Sequence, residues 1–347
     1  MRKVTVLPER LYEFTLTCFL KLGVPRRDAG TIADHLVLAN LRGVDSHGVI
    51  RIPYYVEGVR RGYVRVKVKP KIISEGPATM LIDGNNGLGI PIAARATEHA
   101  IKKAKSTGIA AVSVKNLGHV GMLAYYTLKI AKNQLIGFAT ANSTARVAPW
   151  GGADAILGTN PLSFGFPAGD QPILIDMATS VVADFKIKLA ALKGEKIPEG
   201  LALSRKGEPT TDPKEALEGC LLPFGAYKGY ALSLVVEILS AAICGAPLSK
   251  FIFRHPSTQG GFFVMALNPA AFRSYDEYEA QVEKLISVVK SCSPASGSGE
   301  VLLPGEPERR VYEKRVKDGI PIDQETWMSL VEVSKQLGVS LPKAKST

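Results

Sequence analysis

From residue 87 onward, helical and extended patterns alternate, and this alternation constrains the fold more than any other feature of the chain. "IPIAARATEHAIKKAKSTG" reads as a helix and leads to the strand "IAAVSVK"; a helix over 122–132 leads to the strand "LIGFATA". The strands "LSFGFP" and "PILID" follow, then a helix after Met177, a long helix over 227–244 and the strand "FFVMALN". A helix over 275–291, the glycine-rich "PASGSGEVLLPGE" and a helical segment around 324–338 close the chain. Helix and strand in alternation predict α/β layering.

The first 60 residues differ. "PERLYEFTLTCFLKLG" and "PRRDAGTIADHLVLANLRG" are amphipathic helices, and a third begins after Arg51. "KIIS" and "TMLIDG" read as short strands, and the alternation from Arg65 to Lys69 reads as a strand with one basic face. No linker stands out. The expected division is a helical N-terminal segment (1–75) packed with a C-terminal helical segment (301–347), both on a central α/β domain (76–300).

Composition excludes several classes. A chain of 347 residues can bury a large core, and its 46% apolar and 22% charged residues are ordinary for a globular protein. A net charge of +11 raises nucleic acid as a partner, but no zinc finger, RNA-binding sheet or recognition helix accompanies it. The basic surface suits anionic substrates and cofactors instead. No signal-peptide core opens the sequence, and Glu237 interrupts its most apolar helix, so no membrane span is expected. Cys18, Cys220, Cys244 and Cys292 are far apart, which reads as reduced thiols in a cytoplasmic protein without a metal site.

The densest chemistry lies in "VDSHGVIRIPYYVEG". An imidazole at His47 can exchange a proton near neutrality, with Ser46 or Asp45 to orient it. Arg51, four residues on, can grip a carboxylate through two parallel hydrogen bonds, and a helix over 47–51 would put both on one face. A capped turn carrying surface residues would use the same types. His119 sits in the glycine-rich turn of "KNLGHVGMLAYY", where helix-start amides attract anions. Thr159 and Asn160 in "PWGGADAILGTNPLSFGFP" could bind a polar ligand or simply make a turn. "LIDMATS" closes a strand on Asp176, at the edge where open α/β sheets take ligands. Lys228 is a lone cation at a helix start, a place that disfavours it unless it reaches for an anion. No G-x-G-x-x-G follows a strand, so a Rossmann site is not expected.

Taken together, "LRGVDSHGVIR", "GHVGMLAYY", "PWGGADAILGTNP", "IDMATS", "GEPTTDP", "LLPFGAYKGY" and "LLPGE" resemble the malate/lactate dehydrogenase family whose fold is unrelated to the Rossmann-type enzymes. The family also holds ureidoglycolate dehydrogenase and cyclic imino-acid reductases; the archaeal malate/sulfolactate branch is the most similar. The resemblance runs over nearly the whole chain. It implies a non-Rossmann nicotinamide-binding mixed sheet flanked by helices, NAD or NADP as cofactor, and a homodimer that builds its sites jointly. The substrates implied are small 2-hydroxy and 2-oxo acids, malate or sulfolactate before lactate. It also implies catalytic roles for His47, Ser46, His119 and Lys186, and substrate contacts from Arg51 and Thr159. Cofactor contacts are implied for His119, Val120, Gly121, Met122, Leu123, Ser143, Asp176, Met177, Ala178 and Lys228, and for Gly299, Leu303, Pro304 and Gly305 in a late loop.

The sequence departs from the family at Asp184–Phe185, where relatives carry a basic or aromatic residue followed by glycine, and at "GAYKG", which lacks the usual glycine–proline. Arg146 is also unusual; it could bind a second acidic group of a substrate or lie on a surface loop. A carboxylate at Asp184 facing the site would repel an anionic substrate.

Overall fold

Proline can open a helix at no hydrogen-bonding cost, and Pro8 does so here. In the computed structural model, which describes residues 3–345, β1 (Lys3–Val6) precedes α1 (Pro8–Lys21) and α2 (Arg26–Leu41). Two 3₁₀ turns, Asp45–His47 and Val49–Arg51, lead into α3 (Ile52–Arg60). Then come β2 (Lys71–Glu75), β3 (Thr79–Gly87), α4 (Gly89–Thr107), β4 (Ile109–Leu117), α5 (Ala124–Ala131), β5 (Ile136–Ala141), β6 (Leu162–Phe166) and β7 (Ile173–Met177). An excursion holds α6 (Asp184–Lys193), β8 (Ala202–Leu203), β9 (Pro209–Thr210), α7 (Pro213–Glu218) and β10 (Cys220–Leu221). The chain then forms α8 (Tyr227–Glu237), which runs on as a π turn over Ile238–Ala242, β11 (Phe262–Leu267) and α9 (Tyr275–Lys290). It ends in α10 (Glu306–Asp318), β12 (Ile320–Asp323) and α11 (Gln324–Leu337).

The main sheet has seven strands in the order β2-β3-β4-β11-β5-β6-β7. Only β3 and β4 pair in parallel; every other neighbour is antiparallel. Because β11 runs against both β4 and β5, those two strands point the same way, and two further reversals turn β7 with them. The C-terminal ends of β3, β4, β5 and β7 therefore share one edge, as do the starts of β6 and β11. Helices α4 and α5 cross one face, where Tyr126, Phe262, Ile92, Ile130 and Val112 form a buried apolar core. A second core joins the two chain ends: Leu11, Phe19, Leu36 and Ile52 pack with Ile320, Ile322, Leu330 and Val333. β1 pairs with β12 beside it. A small third core, around Val147, Ile187, Ile197, Ala216 and Leu221, holds the excursion together.

The α/β layering and the mixed sheet agree with the expectation; besides β1, β8, β9, α7, β10 and β12, which the sequence pattern did not mark, there are three local differences. Residues 65–69 keep their alternation, valines half-buried and basic residues exposed, but only Arg65 pairs, in one bridge with Gly87. Alternation makes an extended chain, whereas a strand also needs a free edge, and β2 already occupies the flank of β3. No helix follows Met177 directly; residues 178–183 run irregularly, with Thr179 and Val181 amides bonded to Thr159 and Leu222, and α6 starts at Asp184. Finally α10, which has a single buried residue, had no apolar periodicity to betray it. Among the described residues no helix is long and apolar enough to cross a membrane.

Candidate active site

The turn after α2 is pinned from two sides. Asn40, almost fully buried, donates through Nδ2 to Asp45 Oδ1 at 2.7 Å and accepts the Val49 amide at 2.8 Å. Its Oδ1 lies so close to Gly48 that a Cβ there would stand 2.2 Å away, so no larger residue fits. Arg315 of α10 takes both Asp45 oxygens, at 2.6 and 3.0 Å. Asp45 thus faces α10, and of the two residues expected to orient His47, Ser46 does so: its Oγ lies 3.0 Å from His47 Nδ1. Gly48 breaks the segment into two turns, so His47 and Arg51 do not share an α-helical face. Arg51 is held by its Nε, which donates to the Ser46 carbonyl at 2.6 Å. Its two terminal nitrogens have no hydrogen-bond or ionic partner among the described residues, which leaves the fork for a ligand.

His119 comes from the loop after β4 and stacks on His47, with ring centroids 5.8 Å apart and planes 17° from parallel. Buried Tyr55, one turn beyond Arg51 on α3, holds His119 Nδ1 at 2.8 Å, and the His119 amide donates to the Ser257 carbonyl. Burial, then the nearby Arg51 charge, pushes His47 down to about 3; the same causes in the same order hold His119 well below the usual imidazole range. Both rings are neutral at pH 7. If Tyr55 donates its hydroxyl, the His119 ring proton sits on Nε2.

The loop Val120–Leu123 rests on His35, which is fully buried in α2. The Met122 amide donates to His35 Nε2 at 3.0 Å, and the ring packs 4.9 Å from Tyr125. Gly121 has φ +75°, and a Cβ there would sit 2.2 Å from the His35 ring, so only glycine can pass. The Ala124 amide, at the start of α5, donates to Asp176 Oδ2 at 2.7 Å and so ties this loop to the end of β7. Asp176 is open to solvent, yet the protein crowded around it pushes its pKa up to about 7, against the pull of the Ala124 amide and of Arg42.

Beyond Asp176 and Met177 the chain passes Ala178 and returns along the same edge. Thr179 Oγ1 donates to the Thr159 carbonyl, and Thr159 and Ser143 bond to each other through amide and hydroxyl at 3.1 and 3.2 Å. Beneath them Asn160, at φ +38°, donates to Glu237 Oε1 at 2.8 Å. Glu237 is buried and is also bonded by Asn142 and Ser249. The late loop joins this edge through β7: Leu174 donates to the Pro304 carbonyl, and Gly305 packs against Leu174. Gly299 and Leu303 lie in the same loop, Gly299 exposed. Lys186 on α6 and Lys228 at the start of α8 are exposed and form no ion pair among the described residues. Among the described residues no hydrogen bond or ion pair ties either lysine to the histidine cluster.

Sequence reading missed Asn40, His35, Tyr55, Glu237 and Arg315. Tyr55 had a signal, its helical spacing from Arg51; the others lie on buried or charged helix faces that look structural. Two of the departing residues, Arg146 and Asp184, explain each other. Arg146 Nε donates to Asp184 Oδ1 at 2.7 Å, and its remaining nitrogens donate to the carbonyls of Ala216, Leu217 and Gly219 at 3.1–3.3 Å. Arg146 is committed to the protein, so the expectation that it could take a second substrate acid group does not hold. Burial opposes ionisation of Asp184, but Arg146 and Lys188 outweigh it and keep the carboxyl below its usual range.

Residues 6–331 match the family described as Malate/L-lactate dehydrogenase. The L-sulfolactate dehydrogenase of Methanocaldococcus jannaschii is 42% identical over 340 residues, 96% of this chain and 97% of that protein. The malate dehydrogenase of Pyrococcus horikoshii is 40% identical over 347 residues, 97% and 96% of the two chains. The solved structure of sulfolactate dehydrogenase from Methanocaldococcus jannaschii superposes with a TM-score of 0.91 at 39% identity, covering 97% of this chain and 98% of that one.

Proposed function

The chain belongs to the malate/L-lactate dehydrogenase family, and from that premise we propose that it interconverts a 2-hydroxy acid and a 2-oxo acid with NAD or NADP. Malate/oxaloacetate and sulfolactate/sulfopyruvate are the first choices, lactate/pyruvate the next. The observation that carries this reading is the cluster of two stacked imidazoles, His47 and His119, beside the free fork of Arg51.

The donor set at the sheet edge fits a nicotinamide cofactor. Asp176 offers an exposed carboxyl group for ribose hydroxyls, and Lys228 an exposed ammonium for phosphate. Ser143, Met177, Ala178, the loop from His119 to Leu123, and the late loop with Gly299, Leu303, Pro304 and Gly305 complete the set. When bound, the cofactor supplies a hydride acceptor or donor at C2 of the acid.

The protein's own residues do the rest. Arg51 holds the substrate carboxylate, its direction set by the Ser46 carbonyl. Neutral His47 accepts the hydroxyl proton as C2 is oxidised and returns it in reduction. Ser46 can give or take a hydrogen bond at Nδ1, so either tautomer is held and Nε2 is left to face the acid. His119, fixed by Tyr55, walls the other side, and Thr159 bonds the substrate. Lys186 and Lys228, exposed at the starts of α6 and α8, are assigned their roles from the family resemblance. Holding the acid in one pose supplies much of the rate.

The homodimer is part of the same reading. Leu234, Val235, Ile238 and Ile243 are exposed along α8 and its π turn, near exposed Phe251 and Phe253. A stripe of that length is seldom left open by a monomer. Sedimentation at micromolar concentration tests it, and a single species of monomer mass would refute it.

The deciding experiment follows absorbance loss of NADH and NADPH with oxaloacetate, sulfopyruvate, pyruvate and a cyclic imine acid. Oxidation of one cofactor with one 2-oxo acid is expected. Turnover with the imine alone, or with nothing while the cofactor binds, would overturn the proposal.

A further inference from the structure

The catalytic turn and α10 are far apart in sequence, yet α10 holds the turn directly through Arg315. Arg315 is largely buried, its side chain 15% exposed, and spends one terminal nitrogen on each Asp45 oxygen. The first of these nitrogens also donates to the Asn40 carbonyl at the end of α2. Asn40 closes the ring through Asp45 Oδ1 and the Val49 amide. Between those two anchors lie Ser46, His47 and Gly48. Ser46 carries both bonds that aim the proposed chemistry: its hydroxyl meets His47 Nδ1 and its carbonyl takes Arg51 Nε. The turn has no regular structure of its own beyond two single 3₁₀ turns, so its position is set by what holds its ends.

We propose that Arg315 is a positioning residue for the substrate acid, acting through Asp45 and Ser46 to aim Arg51 and His47. This rests on the reading of His47 and Arg51 as the acid–base group and the carboxylate grip. The Asp45 side chain is about half exposed, at 46%, and ion pairs of that kind contribute little to stability. What the pair supplies is place: a displacement of about 1 Å in a site can cost about 100-fold in rate. Arg315 is suited to this because a planar fork fixes two oxygens at once, which a lysine cannot do.

The test compares the full-length wild-type protein with Arg315→Met, which keeps the stem, Arg315→Lys, and Lys314→Met, an exposed neighbour on the same helix. KM and kcat for the favoured 2-oxo acid are measured, with NADH or NADPH affinity from fluorescence and circular dichroism alongside. Arg315→Met should raise KM for the acid about tenfold or more while cofactor affinity changes less than twofold; Arg315→Lys should lie between, and Lys314→Met should match wild type. A role in folding alone would lower the active fraction, and so kcat, at constant KM; that result overturns the inference. Should Arg315→Met not fold, Asp45→Asn gives the same readout with a KM rise of about threefold or more expected, and an unchanged KM overturns the inference. Absence of wild-type turnover with every 2-oxo acid overturns the underlying reading as well, so the two failures are told apart by the wild-type measurement.

Discussion

Arg146 Nε and Asp184 Oδ1 meet at 2.7 Å, with both side chains four-fifths or more buried. Each residue read from the sequence as a departure from the family pattern; together their charges cancel. The guanidinium neutralises the carboxylate at the start of α6 and, with its other nitrogens, closes the C-terminal carbonyls of α7. The pair fastens the excursion that carries Phe185 and Lys186.

Arg146→Ala should therefore destabilise the protein by about 2–4 kcal/mol, because it leaves a largely buried carboxylate with Lys188 as its one cation and takes the donor from three carbonyls. The loss of activity should be proportionally equal on dicarboxylic and monocarboxylic 2-oxo acids. Thermal melts and kinetics with oxaloacetate and pyruvate check this, and a selective loss on oxaloacetate would return Arg146 to the substrate.

His47→Ala should lower kcat by roughly 10²–10⁴-fold, the usual contribution of an acid–base group. Tyr55→Phe, which frees the His119 ring from its one hydroxyl partner, should cost roughly tenfold or less. The reverse order of effects in steady-state kinetics would move the proton to His119.

Arg51→Lys should raise KM for the acid steeply with little change in cofactor affinity. A lysine cannot reproduce two parallel bonds, nor can it keep the Nε contact to the Ser46 carbonyl that sets the fork's direction. Unchanged kinetics would refute the carboxylate grip.

His35 makes a prediction about pH. Burial lowers its pKa to about 4, from an ordinary value near 6.5. Below pH 6.5 the unfolded chain takes up a proton there that the folded one refuses, so stability falls as pH drops from about 6.5 to 4 and is fully retained above that window. The full shift corresponds to roughly 3 kcal/mol. His35→Gln keeps an acceptor for Met122 but cannot titrate, and should lessen the slope of Tm against pH between 4 and 6.5, leaving the share that His47 and His119 contribute. An equally steep curve in the variant would place the effect elsewhere.

From β3 to β11 most of the helices and strands could be read from the chain, because apolar residues repeat there at helical spacing or in short runs. What escaped reading depends on partners. Residues 65–69 have the period of a strand and no edge to pair with, while α10 has charges all round and is recognisable only beside α2. The same division runs through the site. Ser46, His47 and Arg51 stood out because they crowd into one turn, and His119 because glycines surround it. Tyr55 meets His119 across 64 residues and Arg315 meets Asp45 across 270, separations that no local pattern encodes.

The position of β11 has a consequence for how the molecule is made. Residues 262–267 fill the slot between β4, complete by residue 117, and β5, complete by residue 141. A ribosome working from the N-terminus delivers both walls of that slot more than a hundred residues before the strand that joins them. Until then two rows of unpaired backbone groups, flanked by Val112, Val114 and Ala139, are open to other strands. Such long-range pairing is slow, and the waiting chain is prone to aggregate. The centre of the sheet is thus the last part of it to close, and the emerging chain is most vulnerable just before residue 262 appears.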